Sequence, residues 1–66
     1  MQITLNGEQK SVPGPVTVAG LLDHLSLAPN KIAVERNLEI VPKSLYGQTS
    51  IAEGDKIEIV QFVGGG

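Results

Sequence analysis

Three consecutive glycines, Gly64, Gly65 and Gly66, end the sequence directly after Phe62 and Val63. Because glycine has no Cβ, such a segment takes almost any φ and ψ and can enter a narrow channel. It also leaves the α-carboxylate unhindered and brings no competing nucleophilic side chain. A carboxylate presented in this way can attack the α-phosphorus of ATP, and sulfur or an amine can then open the acyl-adenylate. We therefore predict that the reactive group is the Gly66 carboxylate.

The absence of cysteine narrows this chemistry further. Without a thiol, the polypeptide has no persulfide and no redox pair, so any sulfur it carries must sit on the terminal carboxylate as a thiocarboxylate. One histidine and no cluster of ligands argue against a catalytic metal. A chain of 66 residues also leaves little room for a substrate cavity of roughly several hundred Å³. We therefore predict that the protein is not an enzyme and binds no cofactor itself. The alternative is that the glycines are a frayed end or a cloning remnant, although they directly follow a strand with no intervening linker.

Charge and composition exclude two classes of partner. The formal net charge is −2, the five basic residues are scattered, and one Phe and one Tyr cannot form a base-stacking surface, so nucleic acid is not expected. No segment approaches the roughly 20 apolar residues that span a bilayer, so no membrane is expected either. The sequence begins with alternating polar residues and not with a signal peptide. We expect a cytoplasmic location.

The first third of the sequence predicts a hairpin followed by one helix. Residues 1–6 alternate between apolar and polar, and Asn6-Gly7 suits a type I′ turn into a second strand over residues 8–12. The period then changes to that of a helix of about ten residues, with Thr17 as N-cap and a stop at residues 28–30. Its apolar stripe consists of Val18, Leu21, Leu22 and Leu25.

The remaining sequence predicts three more strands. Residues 31–36 and 38–41 form two of them around a turn at Asn37, and residues 43–46 form one helical turn. A sharp turn at residues 53–55 precedes the most apolar strand, residues 56–63, which suits the centre of a sheet. The predicted fold class is α+β, with a mixed sheet of four to five strands wrapped around one main helix. Residues 1–63 form the domain, and residues 64–66 form a flexible tail.

The last strand also predicts a docking surface beside the tail. If Ile57 and Ile59 point into the core, Val60 and Phe62 point to the other face of the sheet, and Ala33 of the neighbouring strand faces the same side. An apolar surface on so small a protein is typical of a partner interface. The alternative is that these are ordinary exposed apolar side chains.

Four segments together resemble a known family. They are MQITLNGE, TVAGLLDHL, AVERNLEIVPKSLY and EGDKIEIVQFVGGG, and they span essentially the whole sequence. The sequence resembles the ubiquitin-like β-grasp sulfur carriers, and the central block with the short length is similar to their thiamine-biosynthesis branch. The resemblance implies a ubiquitin-like β-grasp fold over residues 1–63.

The same resemblance implies a reaction cycle and its partners. A ubiquitin-activating-type adenylyltransferase would use ATP and Mg²⁺ to adenylate Gly66, and a cysteine desulfurase or related donor would supply sulfur. Thiazole synthase would then consume the thiocarboxylate. Gly65 and Gly66 match the family's Gly-Gly end, and Gly64 extends it by one residue.

Three alternatives stay open at this point. The first is the small sulfur-carrier subunit of molybdopterin synthase, which is usually longer. The second is a ubiquitin-like modifier that is joined to protein lysines through Gly66. The third is a β-grasp interaction module whose tail has no chemical role.

Overall fold

The computed structural model describes residues 1–62, which form one α-helix and seven strands. Five strands make one mixed sheet in the order β2-β1-β7-β4-β5, and β3 pairs separately with β6. The predicted α+β class, a mixed sheet around one main helix, is confirmed. The bounds are β1 Gln2–Leu5, β2 Glu8–Ser11, β3 Val16–Thr17, α1 Val18–His24, β4 Ile32–Arg36, β5 Glu39–Val41, β6 Ser50–Ile51 and β7 Lys56–Gln61, with short 3₁₀ helices at Pro29–Lys31 and Lys43–Leu45.

The last strand, β7, lies at the centre of the large sheet, as its composition predicted. It runs antiparallel to β4 and parallel to β1. The first hairpin also follows the prediction, because Asn6 and Gly7 both have the positive φ of a type I′ turn, 50° and 83°. The β4–β5 hairpin also has two successive residues of positive φ, Asn37 and Leu38, at 53° and 71°. A leucine in this region is strained.

The core lies between α1 and one face of the large sheet. Val18, Leu21 and Leu22 of the helix are at most 1% exposed, as are Ile3, Val34 and Ile57 of the sheet. Three of the four predicted stripe residues and the predicted inward direction of Ile57 are therefore confirmed, whereas Leu25 follows the helix as its C-cap and is half-buried. Because the helix buries its stripe on only one face of the sheet, the opposite face is left without a covering layer in residues 1–62. We call that opposite side the outer face.

The helix is shorter than predicted: it has seven residues, where the sequence suggested about ten. Its start is as predicted, since the Thr17 hydroxyl accepts a hydrogen bond from Gly20 N at 3.1 Å. It ends early because Ser26 adopts a φ of 60°. Ser26 N then bonds to Asp23 O, and Leu27 N bonds to Leu22 O, which is a Schellman motif. Within residues 1–62 no helix is long and apolar enough to cross a membrane.

The short β3–β6 ladder was missing from the sequence prediction, because two-residue strands carry no readable period. Its register pairs Val16 with Ile51 and Thr17 with Ser50, so β3 is held against the first turn of α1. This explains the glycine inside the helix. A Cβ at Gly20 would lie 2.7 Å from Val16 Cγ2, which is closer than two carbons can approach without a shift.

Candidate functional site

Strand β7 leads directly toward the glycine segment. Its ladder with β4 pairs Gln61 with Ile32, and Phe62 N continues it by donating to Lys31 O at 2.8 Å. The backbone is therefore held on the sheet up to Phe62. Val63 and the predicted site residues Gly64, Gly65 and Gly66 lie outside the described residues, so their roles and the boundary between domain and tail stay predictions.

The three residues of the predicted docking surface lie together on the outer face. Ala33 is the direct cross-strand partner of Val60, and both are exposed. Val60 is 60% exposed and Phe62 is 57% exposed, so neither completes the core. We call Ala33, Val60 and Phe62 the tail patch. Its predicted placement is confirmed, whereas its predicted use in docking stays a prediction.

Asn6 holds β7 from the side of β1. The paired register of β1 with β7 reaches Leu5 and Ile57, and Asn6 N then donates to Ile57 O at 2.9 Å. Beyond that point the Asn6 side chain behaves like one more peptide group. Its Nδ2 donates to Ile59 O at 3.2 Å, and its Oδ1 accepts from Ile59 N at 2.7 Å. Asn6 therefore fixes the strand immediately before the tail patch.

A buried carboxylate, Asp55, fixes the other end of β7. Its Oδ2 accepts hydrogen bonds from Arg36 Nε and Ala52 N, both at 2.8 Å, and its Oδ1 accepts one from Asn37 Nδ2 at 3.1 Å. Asn37 Oδ1 in turn accepts from Lys56 N at 2.9 Å. This network joins the start of β7 to the β4–β5 hairpin. This network was not predicted, because residues 53–55 by themselves indicate only a turn.

The pKa of Asp55 reflects the same contacts. Burial alone raises this pKa, but the hydrogen bonds from Ala52, Asn37 and Arg36, together with the Arg36 charge, outweigh burial. The pKa of Asp55 is therefore held below its ordinary value of 3.8. The carboxylate is thus charged at neutral pH and stabilises the fold. No group of three or more acidic or histidine side chains within residues 1–62 could hold a metal ion.

A second set of side chains, exposed except for the half-buried Glu35, continues the outer face away from the tail patch. Glu35 on β4 is the direct cross-strand partner of Glu58 on β7 and of Ile40 on β5. Ile40 and the hairpin residue Leu38 are 75% and 76% exposed. None of these residues was predicted to be part of a site. They are neighbours only because of the order of the strands in the sheet. The alternation of apolar and polar residues within a single strand does not reveal that order.

Solved structures define the class of this protein. The crystal structure of a thiamine biosynthesis protein, ThiS, from Geobacter metallireducens matches it with a TM-score of 0.86 at 33% identity, and the match covers 100% of both chains. The helix, the mixed sheet and the central last strand are therefore those of a ubiquitin-like β-grasp domain.

Sequence comparisons identify the family. The model of the ThiS family matches residues 3–66, so the chain belongs to the ThiS family. The sulfur carrier protein ThiS of Escherichia coli is 32% identical over 66 residues, which is 100% of both chains. A thiazole synthase of Paramagnetospirillum magneticum is 52% identical over the same 66 residues. The chain spans 20% of the length of that relative and of a second thiazole synthase, from Magnetococcus marinus.

Proposed function

We propose that this chain is a sulfur carrier of thiamine biosynthesis and that the α-carboxylate of Gly66 carries the sulfur. The observation that carries the proposal is the extent of the family match, which runs through Gly66. The match includes the glycine segment, which supports a functional role for these glycines over a cloning remnant. The Escherichia coli relative, which bears the name sulfur carrier protein, supports the same function. In this role the chain is a protein co-substrate and has no catalytic activity.

The proposed chemistry begins with activation of the carboxylate by a partner adenylyltransferase that binds ATP and Mg²⁺. A Gly66 carboxylate oxygen attacks the α-phosphorus, the bond to the β-phosphate oxygen breaks, and pyrophosphate leaves. The outer sulfur of a persulfide, formed on a protein cysteine by a cysteine desulfurase or related donor, then attacks the acyl carbon and displaces AMP, which gives an acyl disulfide. A second thiol on a partner protein attacks the inner sulfur of that S–S bond, so that a protein disulfide and the Gly66 thiocarboxylate are released. The resulting thiocarboxylate passes its sulfur to thiazole synthase. Because these steps require a free carboxylate, they apply to the form of the protein in which Gly66 ends the polypeptide.

The described residues support this role by the way they present β7. Hydrogen bonds from Asn6 and from the β4 ladder hold the strand up to Phe62, so a partner meets a fixed surface before it engages the glycines. In our proposal the tail patch of Ala33, Val60 and Phe62 is that surface. A pre-formed apolar surface lowers the entropy cost of docking, since few side chains have to be ordered on binding.

Two comparisons bear on the choice of pathway. The match to the ThiS family favours thiamine biosynthesis over molybdopterin synthesis. The two relatives named thiazole synthase contain a region similar to the whole of this chain. This supports a thiazole synthase as the acceptor of the sulfur.

The direct test is the intact mass of the protein purified from its own host, from a strain that lacks thiazole synthase. We expect a species whose mass is higher by the difference between one sulfur and one oxygen atom, and we expect it to disappear when Gly66 is deleted. A ladder of conjugates with other proteins would indicate a modifier instead. In a strain that retains thiazole synthase, thiamine synthesis that survives deletion of Gly66 would refute the proposal.

The docking role of the tail patch has its own test. Phe62→Asp should lower kcat/KM for adenylation by about tenfold or more while the fold survives, because a central apolar contact becomes a buried charge. Gln48→Asp is the matched control, since Gln48 is exposed and lies outside the large sheet, between the 3₁₀ helix Lys43–Leu45 and β6. Equal adenylation kinetics for the two variants would mean that docking occurs elsewhere.

A further inference from the structure

The outer face carries two apolar groups with two acidic side chains between them. At one end is the tail patch. At the other end are Leu38 and Ile40, which we call the edge patch. The register places Glu58, Glu35 and Ile40 side by side across β7, β4 and β5. On the same face, the pair of Val60 and Ala33 lies two residues away along β7 and β4. The tail patch, the two glutamates and Ile40 therefore lie along one face of the sheet, and Leu38 lies in the β4–β5 hairpin that adjoins it.

The two glutamates face each other without a cation between them. Like charges directly opposite on neighbouring strands destabilise a sheet. Among residues 1–62 the only salt bridge joins Arg36 to Asp55, and Arg36 lies on the other face of β4 from Glu35. Lys56 lies on the same side as Glu58, two residues earlier in β7, but forms no salt bridge with it. Within residues 1–62 no salt bridge therefore joins a cation to Glu35 or Glu58.

The edge patch is equally unexplained by folding. Leu38 has a φ of 71° and is 76% exposed, so a strained leucine is placed where it buries little apolar surface. Ile40 is 75% exposed beside Glu35. A stable fold needs neither side chain at these positions, since both lie outside the core cluster. Exposed apolar side chains that rim a charged pair are typical of a binding surface.

We propose that the whole outer face, from the tail patch to the edge patch, docks the enzyme that activates Gly66, and that this enzyme places an arginine or lysine side chain between Glu35 and Glu58. Charge complementarity identifies the occupant, because a cation there removes the repulsion within the pair and the apolar patches exclude water around it. The inference rests on the proposed function and adds the chemistry of the partner's surface.

This role has a signature that a structural role lacks. Neutralising either glutamate removes the repulsion in the free protein, so the variant should be more stable than the wild type. The same change removes the partner's counter-charge, so docking should weaken. Stability and binding therefore change in opposite directions. A residue needed for folding would change both in the same direction.

The test compares Glu35→Gln and Glu58→Gln with the control Glu8→Gln, which neutralises an exposed glutamate on the edge strand β2. The readouts are the KM for the carrier in adenylation, its dependence on salt, and the midpoint of urea unfolding. We expect each outer-face variant to raise KM about tenfold at low salt with kcat unchanged, to flatten the salt dependence, and to raise the urea midpoint. The control should leave KM unchanged.

Several results would overturn the inference. One is a KM for the outer-face variants equal to that of the control, and another is a urea midpoint that falls as KM rises. A third is self-association of the wild type that both variants abolish, which would make the face a contact between copies of this chain. Failure of the wild type to be adenylated at all would instead refute the proposed function, so the two failures are distinguishable.

Discussion

The substitution Gly20→Ala sets two effects of similar size against each other. Alanine is favoured over glycine inside a helix by about 1 kcal/mol. However, the new Cβ would lie 2.7 Å from Val16 Cγ2, and the two carbons must separate by about 0.7 Å to reach ordinary van der Waals contact. Val16 cannot yield easily, because its side chain is β-branched and its backbone is paired with Ile51.

The steric cost of the added Cβ should slightly exceed the gain in helix propensity. Forcing an extra carbon into a filled space typically costs about 1–3 kcal/mol, so the net effect of Gly20→Ala is a loss of about 1 kcal/mol of unfolding free energy. In a domain of this size that corresponds to a fall in Tm of about 4–8 °C. In the background Val16→Ala the clashing Cγ2 is absent. There the same substitution should stabilise the protein by up to about 1 kcal/mol.

The assay is urea unfolding of the wild type, the two single variants and the double variant at one temperature. We expect Gly20→Ala to lower the unfolding free energy in the wild type and to raise it in the Val16→Ala background. This corresponds to a coupling energy of about 2 kcal/mol between positions 16 and 20. If Gly20→Ala stabilises both backgrounds by the same amount, Gly20 is not required by its contact with Val16 and our explanation is wrong. A change that destabilises both backgrounds equally would refute it as well.

Three further predictions concern the contacts that fix β7 and α1. Asp55→Asn should cost about 2–3 kcal/mol at pH 7 in urea unfolding, since an amide replaces a buried acceptor of three hydrogen bonds. Because the folded-state pKa of Asp55 lies below its unfolded value of 3.8, this stabilisation is complete above that value and is lost as the pH falls through the folded-state pKa. The difference in unfolding free energy between wild type and variant should therefore narrow below about pH 4. A difference that stays constant with pH would contradict the assignment. Asn6→Gly keeps the positive φ but removes both side-chain hydrogen bonds to Ile59. It should lower the unfolding free energy by about 1–2 kcal/mol and speed hydrogen exchange of the Ile59 amide, and unchanged exchange there would contradict the role of Asn6. Thr17→Ala should cost about 1 kcal/mol by removing the helix cap, whereas Thr17→Ser should retain most of the stability, and equal losses would show that the hydroxyl is not the cause.

Local patterns in the sequence were sufficient for most of the fold. The alternation of residues 1–6, the Asn6-Gly7 turn and the spacing of the helix stripe each depend on neighbours a few residues apart. The central place of β7 followed from its apolar residues on both faces. The end of the helix did not follow, because nothing in its spacing reveals that Ser26 adopts a positive φ.

The tail patch could be predicted for the same reason. Once β7 and β4 are recognised as strands with a known buried face, period two places Val60, Phe62 and Ala33 on the other face. The resemblance to the ThiS family, carried by segments across the whole chain, is likewise a property of the sequence and is confirmed by the match over residues 3–66.

What the sequence determined by itself is thus the main helix, the five strands of the large sheet and their buried faces. The chemistry proposed for Gly66 also rests on the sequence, since a glycine segment in a chain without cysteine leaves a carboxylate as the group to activate. Only the tertiary structure decided which distant residues meet. Strand order brought Glu35 between Glu58 and Ile40, and the fold placed Asp55 against Arg36 and Gly20 against Val16. These contacts depend on register and packing between segments far apart in the chain, and no local period encodes them.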